Sequence, residues 1–308
     1  MPPIVHDVKR DTAEELLDAL SPRGHLFSGD RTRGRWLFRG HGNDEWELCP
    51  SALRGGPEIW QARVQYPVNN HGDQIAAERS TLMEFCGVAD NAGLEVPEDS
   101  QERRGRPLQP VGEFLDGLHS TGDVWISREL RTVAGLAQHF GVPTRLLDWT
   151  TSYHTAAYFA AKDACELSAA PNAGSFNSHG RLAVWTFWVD AFQTKSDISR
   201  RASRPVWAGF VTSPRAKNAN LHAQAGVFTM TYEPRMLDAD IDRRPLDRYL
   251  AEVFIDDFPI MFQRVSIPVS EAGRLLWLVA AEGVTAATLF PGYQGVAMAL
   301  DERRFWPP

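Results

Sequence analysis

Apolar residues recur at helical spacing in the first half of the chain, and strand-like apolar runs dominate the second half. The pattern predicts helices over residues 12–20, 75–86, 126–140, 153–165 and 270–281. It predicts strands over residues 35–39, 182–188, 205–211, 227–232 and 263–267. Because helices concentrate early and strands late, without regular alternation, we expect an α+β fold with a mixed, largely antiparallel core sheet and flanking helices.

Local signals indicate where some helices begin and end. Thr12, with Glu15 three residues later, is a candidate capping box. Gly141 follows the helix over residues 126–140 as a C-terminal cap. We interpret the polar residues after it as a tight turn between two apolar helices, in which Asp148, Thr150 or Thr151 caps the second helix.

The interval from residue 55 to residue 123 differs from the rest of the chain. It is irregular apart from the helix predicted over residues 75–86, and its part from 95 to 110 is polar with little periodicity. No internal repeat or low-complexity linker divides the sequence. We therefore predict one domain over residues 1–308, with residues 55–123 as an inserted helical and loop segment.

Composition and missing motifs narrow the functional classes. A net charge of −7 argues against bulk binding of duplex nucleic acid. No apolar run of about 18 residues and no basic start followed by an apolar stretch occur, so we expect a cytoplasmic protein without a membrane span. Three widely spaced cysteines argue against a disulfide framework or a zinc cluster. Dinucleotide-binding GxGxxG, P-loop, GxSxG, HExxH and CxxC patterns are absent, and we expect no bound metal.

Arg39 is the first candidate functional residue, at the end of an apolar strand and between Phe38 and Gly40. A partly buried guanidinium needs an anionic or carbonyl partner. Gly40 allows a ligand or another backbone segment to approach closely. Two interpretations remain open, namely ligand binding and a structural arginine bound to a carboxylate or to loop carbonyls.

The run QHFGVPTRLLDWTT, residues 138–151, is the second candidate. His139 ends a predicted helix, where the helix dipole favours the protonated ring. Arg145 and Asp148 are predicted to pair across the turn, and Trp149 offers a flat surface for a ligand ring. The structural alternatives are a helix N-cap for Asp148 and a hydrogen bond to helix-end carbonyls for His139.

Gln224 is the third candidate, at the entry of a predicted strand and two residues before Gly226. A glutamine at such a position can bind a ribose hydroxyl or a backbone edge. Closing a turn is the structural alternative.

Together these segments resemble the FRG domain. Phe38-Arg39-Gly40 matches the motif that names this family, and residues 138–150 match its QHxGxPTRLLDWT signature nearly letter for letter. An AxxFA helix at residues 156–160, a QxGxFT element at 224–229 and a closing Leu-Phe-Pro at 289–291 follow in the family's order. The resemblance covers the chain from about residue 30 to about residue 300.

The layout of the family is in turn similar to that of the ADP-ribosyltransferase superfamily, whose members use NAD as a substrate. The resemblance implies that Arg39 binds the diphosphate or ribose of NAD, that Thr150 lines the nicotinamide pocket, and that Gln224 takes the place of a late glutamate. Since an amide cannot act as a general base, Asp148 is expected to supply the carboxylate. The implied catalytic residues are Arg39, Asp148, Thr150 and Gln224. The implied NAD-contacting residues are Phe38, Arg39, Gly40, His139, Arg145, Trp149 and Thr150.

Three functional hypotheses follow from the sequence. The first is an NAD-dependent ADP-ribosyltransferase acting on a protein or nucleic acid, as a bacterial or phage toxin or an anti-phage defence effector. The second is a non-catalytic module that binds a nucleotide or nucleic acid in the same cleft. The third is a structural partner in a defence complex, in which the motifs only stabilise the fold.

Overall fold

A computed structural model describes residues 5–27, 34–55, 58–61, 63–97, 111–121, 124–171, 174–203, 206–212, 222–232, 234–254 and 260–307. Their helices are α1 (Ala13–Leu20), α2 (Ser51–Arg54), α3 (Glu58–Gln61), α4 (His71–Asn91), α5 (Val111–Thr121), α6 (Arg128–His139), α7 (Tyr153–Ser168), α8 (Gly174–His179), α9 (Val189–Arg201), α10 (Leu246–Val253), α11 (Ala272–Ala281), α12 (Ala286–Leu289) and α13 (Tyr293–Asp301). Their strands are β1 (Val5–Lys9), β2 (Trp36–His41), β3 (Leu147–Thr150), β4 (Arg181–Trp188), β5 (Ala208–Val211), β6 (Gly226–Thr231) and β7 (Phe262–Pro268). Most of the polar interval predicted as a loop, residues 98–110, lies outside the described residues.

The strands of the described regions form one seven-stranded sheet in the order β1-β7-β4-β2-β3-β6-β5. Strand β1 runs parallel to β7, and every other neighbouring pair is antiparallel. The predicted α+β class with a mixed, largely antiparallel sheet is therefore confirmed. The pattern analysis missed β1, because this edge strand has one buried residue, Val8, among more exposed ones and shows no clear alternation.

Helices cover both faces of the sheet. On one face, α1, α7 and α11 pack through residues such as Leu16, Ala157 and Leu275 against Val184 of β4 and Val265 of β7. The opposite face carries an aromatic cluster. Its larger members are Trp149, Trp185, Phe187, Phe192, Tyr249 and Phe262. The alternation of side chains along β2 and β4 supplies both clusters at once, as expected for strands buried on both faces.

The described part of the predicted insertion packs against the β6 end of the sheet. Ile75 and Leu82 of α4 and Phe114 of α5 join Leu130 of α6 and Phe228 of β6 in one hydrophobic cluster. Helix α4 is longer than the helix predicted over residues 75–86, because Asn70 caps it by accepting a hydrogen bond from the Asp73 backbone N–H. The described part of the predicted insertion thus contributes side chains to the same hydrophobic cluster as α6 and β6.

The predicted turn before helix α7 is wrong. Residues Leu147–Thr150 form strand β3 between two hydrogen-bonded neighbours, and the N-cap of α7 is Ser152, whose hydroxyl accepts from the backbone N–H of Thr155. The alternation of Leu147 and Trp149 with polar residues is strand-like, but four residues are too few to distinguish a strand from a turn by pattern alone.

Four other helix predictions are confirmed. Helices α1, α6, α7 and α11 lie within one to three residues of their predicted bounds. Thr12 caps α1 as predicted, whereas the Glu15 carboxylate accepts from the Asp11 N–H rather than completing the box with Thr12. Within the described residues, no helix combines the length and the apolar character that a membrane span requires.

Candidate functional site

Strands β2 and β3 separate in the middle of the sheet. They pair at a single register position, Phe38 opposite Thr150. Beyond it the Arg39 side chain enters the gap, and its Nη1 donates a hydrogen bond of 2.8 Å to the backbone carbonyl of Asp148. The same Nη1 lies 3.5 Å from Oδ2 of the Asp148 carboxylate. A guanidinium therefore replaces the backbone donor that would otherwise continue the ladder between the two strands.

His41 fixes the guanidinium from the other side. Nε of Arg39 donates to Nε2 of His41 at 2.9 Å. The ring therefore carries its proton on Nδ1, which lies 3.2 Å from the carbonyl oxygen of Trp46 and donates to it. Burial, reinforced by the charge of Arg39, holds the pKa of His41 well below its usual value. Since the neutral ring accepts from Arg39, the arginine is locked in one orientation.

Arg39 is mostly buried but still reaches a cavity. Its side chain is 15% exposed, and burial lowers its pKa although the charge of Asp148 opposes that effect. Among the residues that the structure describes, Nη2 of Arg39 has no hydrogen-bond partner. One end of the guanidinium is thus held by the protein and the other end remains available to a ligand.

The gap between the strands opens into a cavity of about 300 Å³. Strands β2, β3 and β6, helices α6 and α7 and the segments before β6 and after α12 line it. The lining residues are Phe38, Arg39, Gly40, Gln138, His139, Asp148, Trp149, Thr150, Ala156, Phe159, Asp163, Gln224, Gly226, Phe228 and Phe290. All four predicted catalytic residues, and six of the seven predicted NAD-contacting residues, therefore lie around one cleft; Arg145 does not.

Gln138 of α6 holds Asp148 at the edge of this cleft. Its Nε2 donates to Oδ2 of Asp148 at 2.7 Å, and its Oε1 accepts from the Thr144 hydroxyl at 2.8 Å. The carboxylate of Asp148 nevertheless remains 46% exposed. These contacts explain three polar positions of the signature run, because Gln138, Thr144 and Asp148 form one chain of hydrogen bonds that ends at Arg39.

Arg145 serves a different purpose, and its predicted pairing with Asp148 is wrong. Its Nε and Nη2 donate to the two carboxylate oxygens of Glu78 at 2.8 and 2.9 Å. The two side chains are only 6% and 2% exposed. Glu78 lies on α4, inside the interval predicted as an insertion, and no sequence pattern linked the two positions. A deeply buried guanidinium requires such a bidentate acceptor, which leaves Arg145 outside the cleft.

Trp149 lines the cavity, but its indole does not form the predicted flat wall. The ring projects to the face of β3 opposite Asp148, where Nε1 donates to Thr229 and the ring stacks on Phe262. Strand alternation dictates this orientation, since neighbouring residues face opposite sides. The aromatic surface of the cavity comes instead from phenylalanines, of which Phe159 and Phe290 are partly exposed and meet edge to face at 6.2 Å.

Thr150 and Gln224 meet where β3 and β6 come together. The Thr150 hydroxyl donates to the Gln224 carbonyl at 2.7 Å and accepts from the Ser152 N–H at 3.1 Å. The Gln224 side chain donates through Nε2 to the carbonyl of Leu289 at 3.2 Å. Both residues line the cavity while connecting the elements around it, and the Leu-Phe-Pro segment is held in place by Gln224.

His139 and Gly40 complete the predicted set. His139 lines the cavity, and burial lowers its pKa although the charge of Asp148 opposes the shift. A Cβ on Gly40 would lie 2.0 Å from the carbonyl oxygen of Ala156, so this glycine admits helix α7 against β2. The sequence left open whether a ligand or another backbone segment approaches Gly40. The described structure shows the backbone of helix α7 there.

Sequence reasoning missed Asp163 of α7 as a cavity residue. It lies on the same helical stripe as Ala156 and Phe159, seven and four residues earlier, which also line the cavity. A charged residue on the small-residue stripe of a helix was the signal that could have revealed it. Burial raises the pKa of its carboxyl group, with Lys162 and Arg39 opposing.

Comparison with known proteins gives one match. No curated protein and no solved structure shows a significant similarity to the chain. The family model of the FRG domain matches residues 34–168. That span contains both sides of the strand gap and the helix that carries Asp163, and it ends before Gln224. Residues 34–168 are therefore similar to the FRG domain, and several signature residues of that span line the cleft.

Proposed function

We propose that the protein is an ADP-ribosyltransferase-like enzyme that binds NAD in the cleft between β2 and β3. The observation that carries the proposal is Arg39, a mostly buried guanidinium fixed by His41 and Asp148 with Nη2 directed to no protein partner in the described residues. A cation held in this way suits an anionic ligand group, and phosphate oxygens match its fork geometry.

The size and lining of the cavity support a nucleotide end rather than a large macromolecular segment. Its volume of about 300 Å³ lies at the lower end of small-molecule sites. Phe159 and Phe290 provide an apolar end, and Arg39 and Asp148 provide a polar one. We assign the nicotinamide and its ribose to the cavity, with the diphosphate at Arg39 and the adenosine extending outside.

This arrangement suits the chemistry of transfer. When the bond between nicotinamide and C1′ of the ribose breaks, its electron pair goes to the pyridinium nitrogen and positive charge develops on the ribose. The acceptor nucleophile then bonds to C1′ and releases its proton. A fixed anchor for the diphosphate and a nearby carboxylate favour this charge distribution.

A non-catalytic nucleotide-binding module is the second candidate, favoured by a specific observation. The Thr150 hydroxyl is engaged by Gln224 and Ser152, and the Asp148 carboxylate is engaged by Gln138 and Arg39. Polar groups that already hold the fold together are less free to take part in chemistry. Such a protein would bind NAD or a related nucleotide without turnover.

The test uses the purified full-length protein and NAD labelled on its adenylate portion, incubated with mixed protein, RNA and DNA. Transferred label and released nicotinamide report turnover, and calorimetry reports NAD binding. We expect Arg39→Ala to abolish turnover and to weaken NAD binding by at least about tenfold, because hydrogen bonds to charged groups contribute about 1.5–3 kcal/mol. Arg248→Ala is the matched control, since this exposed arginine pairs with Glu47 away from the cavity.

Each outcome separates the hypotheses. Turnover that disappears in Arg39→Ala and persists in Arg248→Ala supports the enzyme. NAD binding without turnover in the wild type supports the binding module. Absence of NAD binding to a folded wild-type protein contradicts both.

A further inference from the structure

Asp163 is a cavity carboxylate that the signature motifs do not include. Helix α7 brings it to the cavity beside Ala156 and Phe159, and it is itself partly buried. Throughout the described residues, its carboxylate has no hydrogen-bond donor and no ion-pair partner. A carboxylate that is partly withdrawn from water without a hydrogen-bond donor is destabilised, and such groups recur in cavities where a ligand supplies the missing partner.

Two glycines of β2 and its continuation place Asp163 where it is. A Cβ on Gly42 would lie 2.5 Å from Cβ of Asp163 and 2.8 Å from the backbone nitrogen of Ala164. Together with Gly40, which admits the previous turn of the same helix, Gly42 lets α7 lie directly on the strand that carries Arg39. The alternation of glycines around His41 thus determines the position of this carboxylate.

The two carboxylates of the cavity differ in their electrostatic surroundings. Asp148 accepts a hydrogen bond from Gln138 and lies 3.5 Å from the Arg39 guanidinium, so its charge is largely compensated. Asp163 receives only the longer-range influence of Arg39 and of Lys162, against burial and Glu166, which both raise its carboxyl pKa. The protein therefore leaves Asp163 as the carboxylate whose charge remains to be balanced.

We propose that Asp163, and not Asp148, faces the positive charge of the substrate and makes the cavity select oxidised NAD over NADH. The inference rests on the proposed function. The nicotinamide ring is a cation in NAD and neutral in NADH, whereas the diphosphate and adenosine are identical in both. A carboxylate at the nicotinamide end distinguishes the two forms by charge, and the same carboxylate stabilises the positive charge that develops on the ribose during transfer.

The test compares binding of NAD and NADH at pH 7.5 to the wild type, Asp163→Asn and Asp197→Asn by calorimetry. Asp197→Asn is the control, because it removes the same charge from the exposed surface of α9, where Asp197 pairs with Arg200. We expect the wild type and Asp197→Asn to bind NAD at least about tenfold more tightly than NADH, since opposite charges about 5 Å apart interact appreciably at protein-like dielectric constants. Asp163→Asn should lose most of this preference by weakening NAD binding alone.

Thermal unfolding provides a second readout. Removal of an uncompensated charge should leave the melting temperature of Asp163→Asn unchanged or raise it. Equal weakening of both ligands, or a large drop in melting temperature, would assign Asp163 to the scaffold and overturn the inference. A wild type that turns over NAD yet binds NADH equally well also overturns it while leaving the proposed function intact. A wild type that binds neither dinucleotide contradicts the proposed function itself.

Discussion

Two arginine–carboxylate pairs organise the signature residues, and they are built in opposite ways. Arg145 and Glu78 are 6% and 2% exposed and meet through two short hydrogen bonds. Arg39 and Asp148 are 15% and 46% exposed, and their side chains approach only to 3.5 Å. The first pair is sealed inside the protein, whereas the second opens onto the cavity.

The difference shows in the atoms that remain available. Each oxygen of Glu78 accepts a second hydrogen bond, one from Gln74 and one from Trp125, so the sealed pair has no acceptor left for a ligand. The open pair leaves Nη2 of Arg39 without a partner in the described chain. Residue type alone does not distinguish the two arginines as ligand-binding candidates. Their surroundings do, because Arg145 is bound by Glu78 inside the protein and Arg39 lines the cleft.

The largest expected effect is on stability, when each arginine is replaced by methionine. Arg145→Met leaves the Glu78 carboxylate buried without its cation, and we expect the free energy of unfolding to fall by about 3–5 kcal/mol. Arg39→Met leaves a half-exposed Asp148 that water can solvate, so a loss of about 1–2 kcal/mol is expected. Denaturant unfolding of both variants against the wild type measures the two losses.

The comparison fails if Arg39→Met destabilises the protein as much as Arg145→Met does. Glu78→Gln is a second probe of the sealed pair, since it keeps the shape of the side chain and removes its charge. It should also destabilise the protein by several kcal/mol, because Arg145 is then the uncompensated buried charge.

A smaller effect is expected from Gln138→Leu, which removes the support of the open pair. The variant loses the hydrogen bond to Asp148 and leaves the Thr144 hydroxyl without its acceptor. We expect a loss of about 1–2 kcal/mol in the free energy of unfolding. Asp148 should also become more mobile at the cavity edge, and on the proposed function NAD affinity should fall by several-fold.

Gln294→Leu is the matched control for this prediction, because Gln294 is exposed on α13 and does not line the cavity. Unfolding curves and calorimetric titrations of the two variants give the comparison. A Gln138→Leu protein with wild-type stability and wild-type NAD affinity would show that the chain of hydrogen bonds through Thr144 does not position Asp148.

The sequence predicted what depends on local pattern and missed what depends on partners far along the chain. Helices α1, α6 and α7 follow from periodicity and were correctly predicted, whereas strand β2 continues through Gly40 to His41, beyond its predicted end at Arg39. Glu78 lies 67 residues from Arg145, and nothing in their local sequence indicates that the two side chains pair. The pairing of Arg145 with Asp148 was predicted instead because three residues separate them.

The short strand β3 shows the same limit at the site itself. Its four residues became a strand because β2 and β6 flank them, which no local window reveals. Once β3 is a strand, alternation sends Asp148 towards Arg39 and the Trp149 indole into the opposite core. The motif resemblance singled out residues that, except for Arg145, lie around one cleft, whereas the directions of their side chains depend on the sheet.

The smallest expected effect concerns pH and the surroundings of the sealed pair. His71, at the start of α4, is 9% exposed, and burial, together with the charge of Arg145, lowers its pKa from 6.5 to about 4. Glu78 and Asp242 oppose this shift, and Arg235 adds to it. Between these two pKa values the unfolded chain binds a proton that the folded protein does not, so this group reduces stability as the pH falls from about 6.5 towards 4.

The wild type should therefore lose more free energy of unfolding between pH 7.5 and pH 5 than His71→Gln does, as measured by urea unfolding at both pH values. His6→Gln, at an exposed position of β1, is the control and should lose as much as the wild type. Equal losses in wild type and His71→Gln would mean that water or a local rearrangement solvates the ring, and that the region around the sealed pair is more open than its side-chain burial indicates.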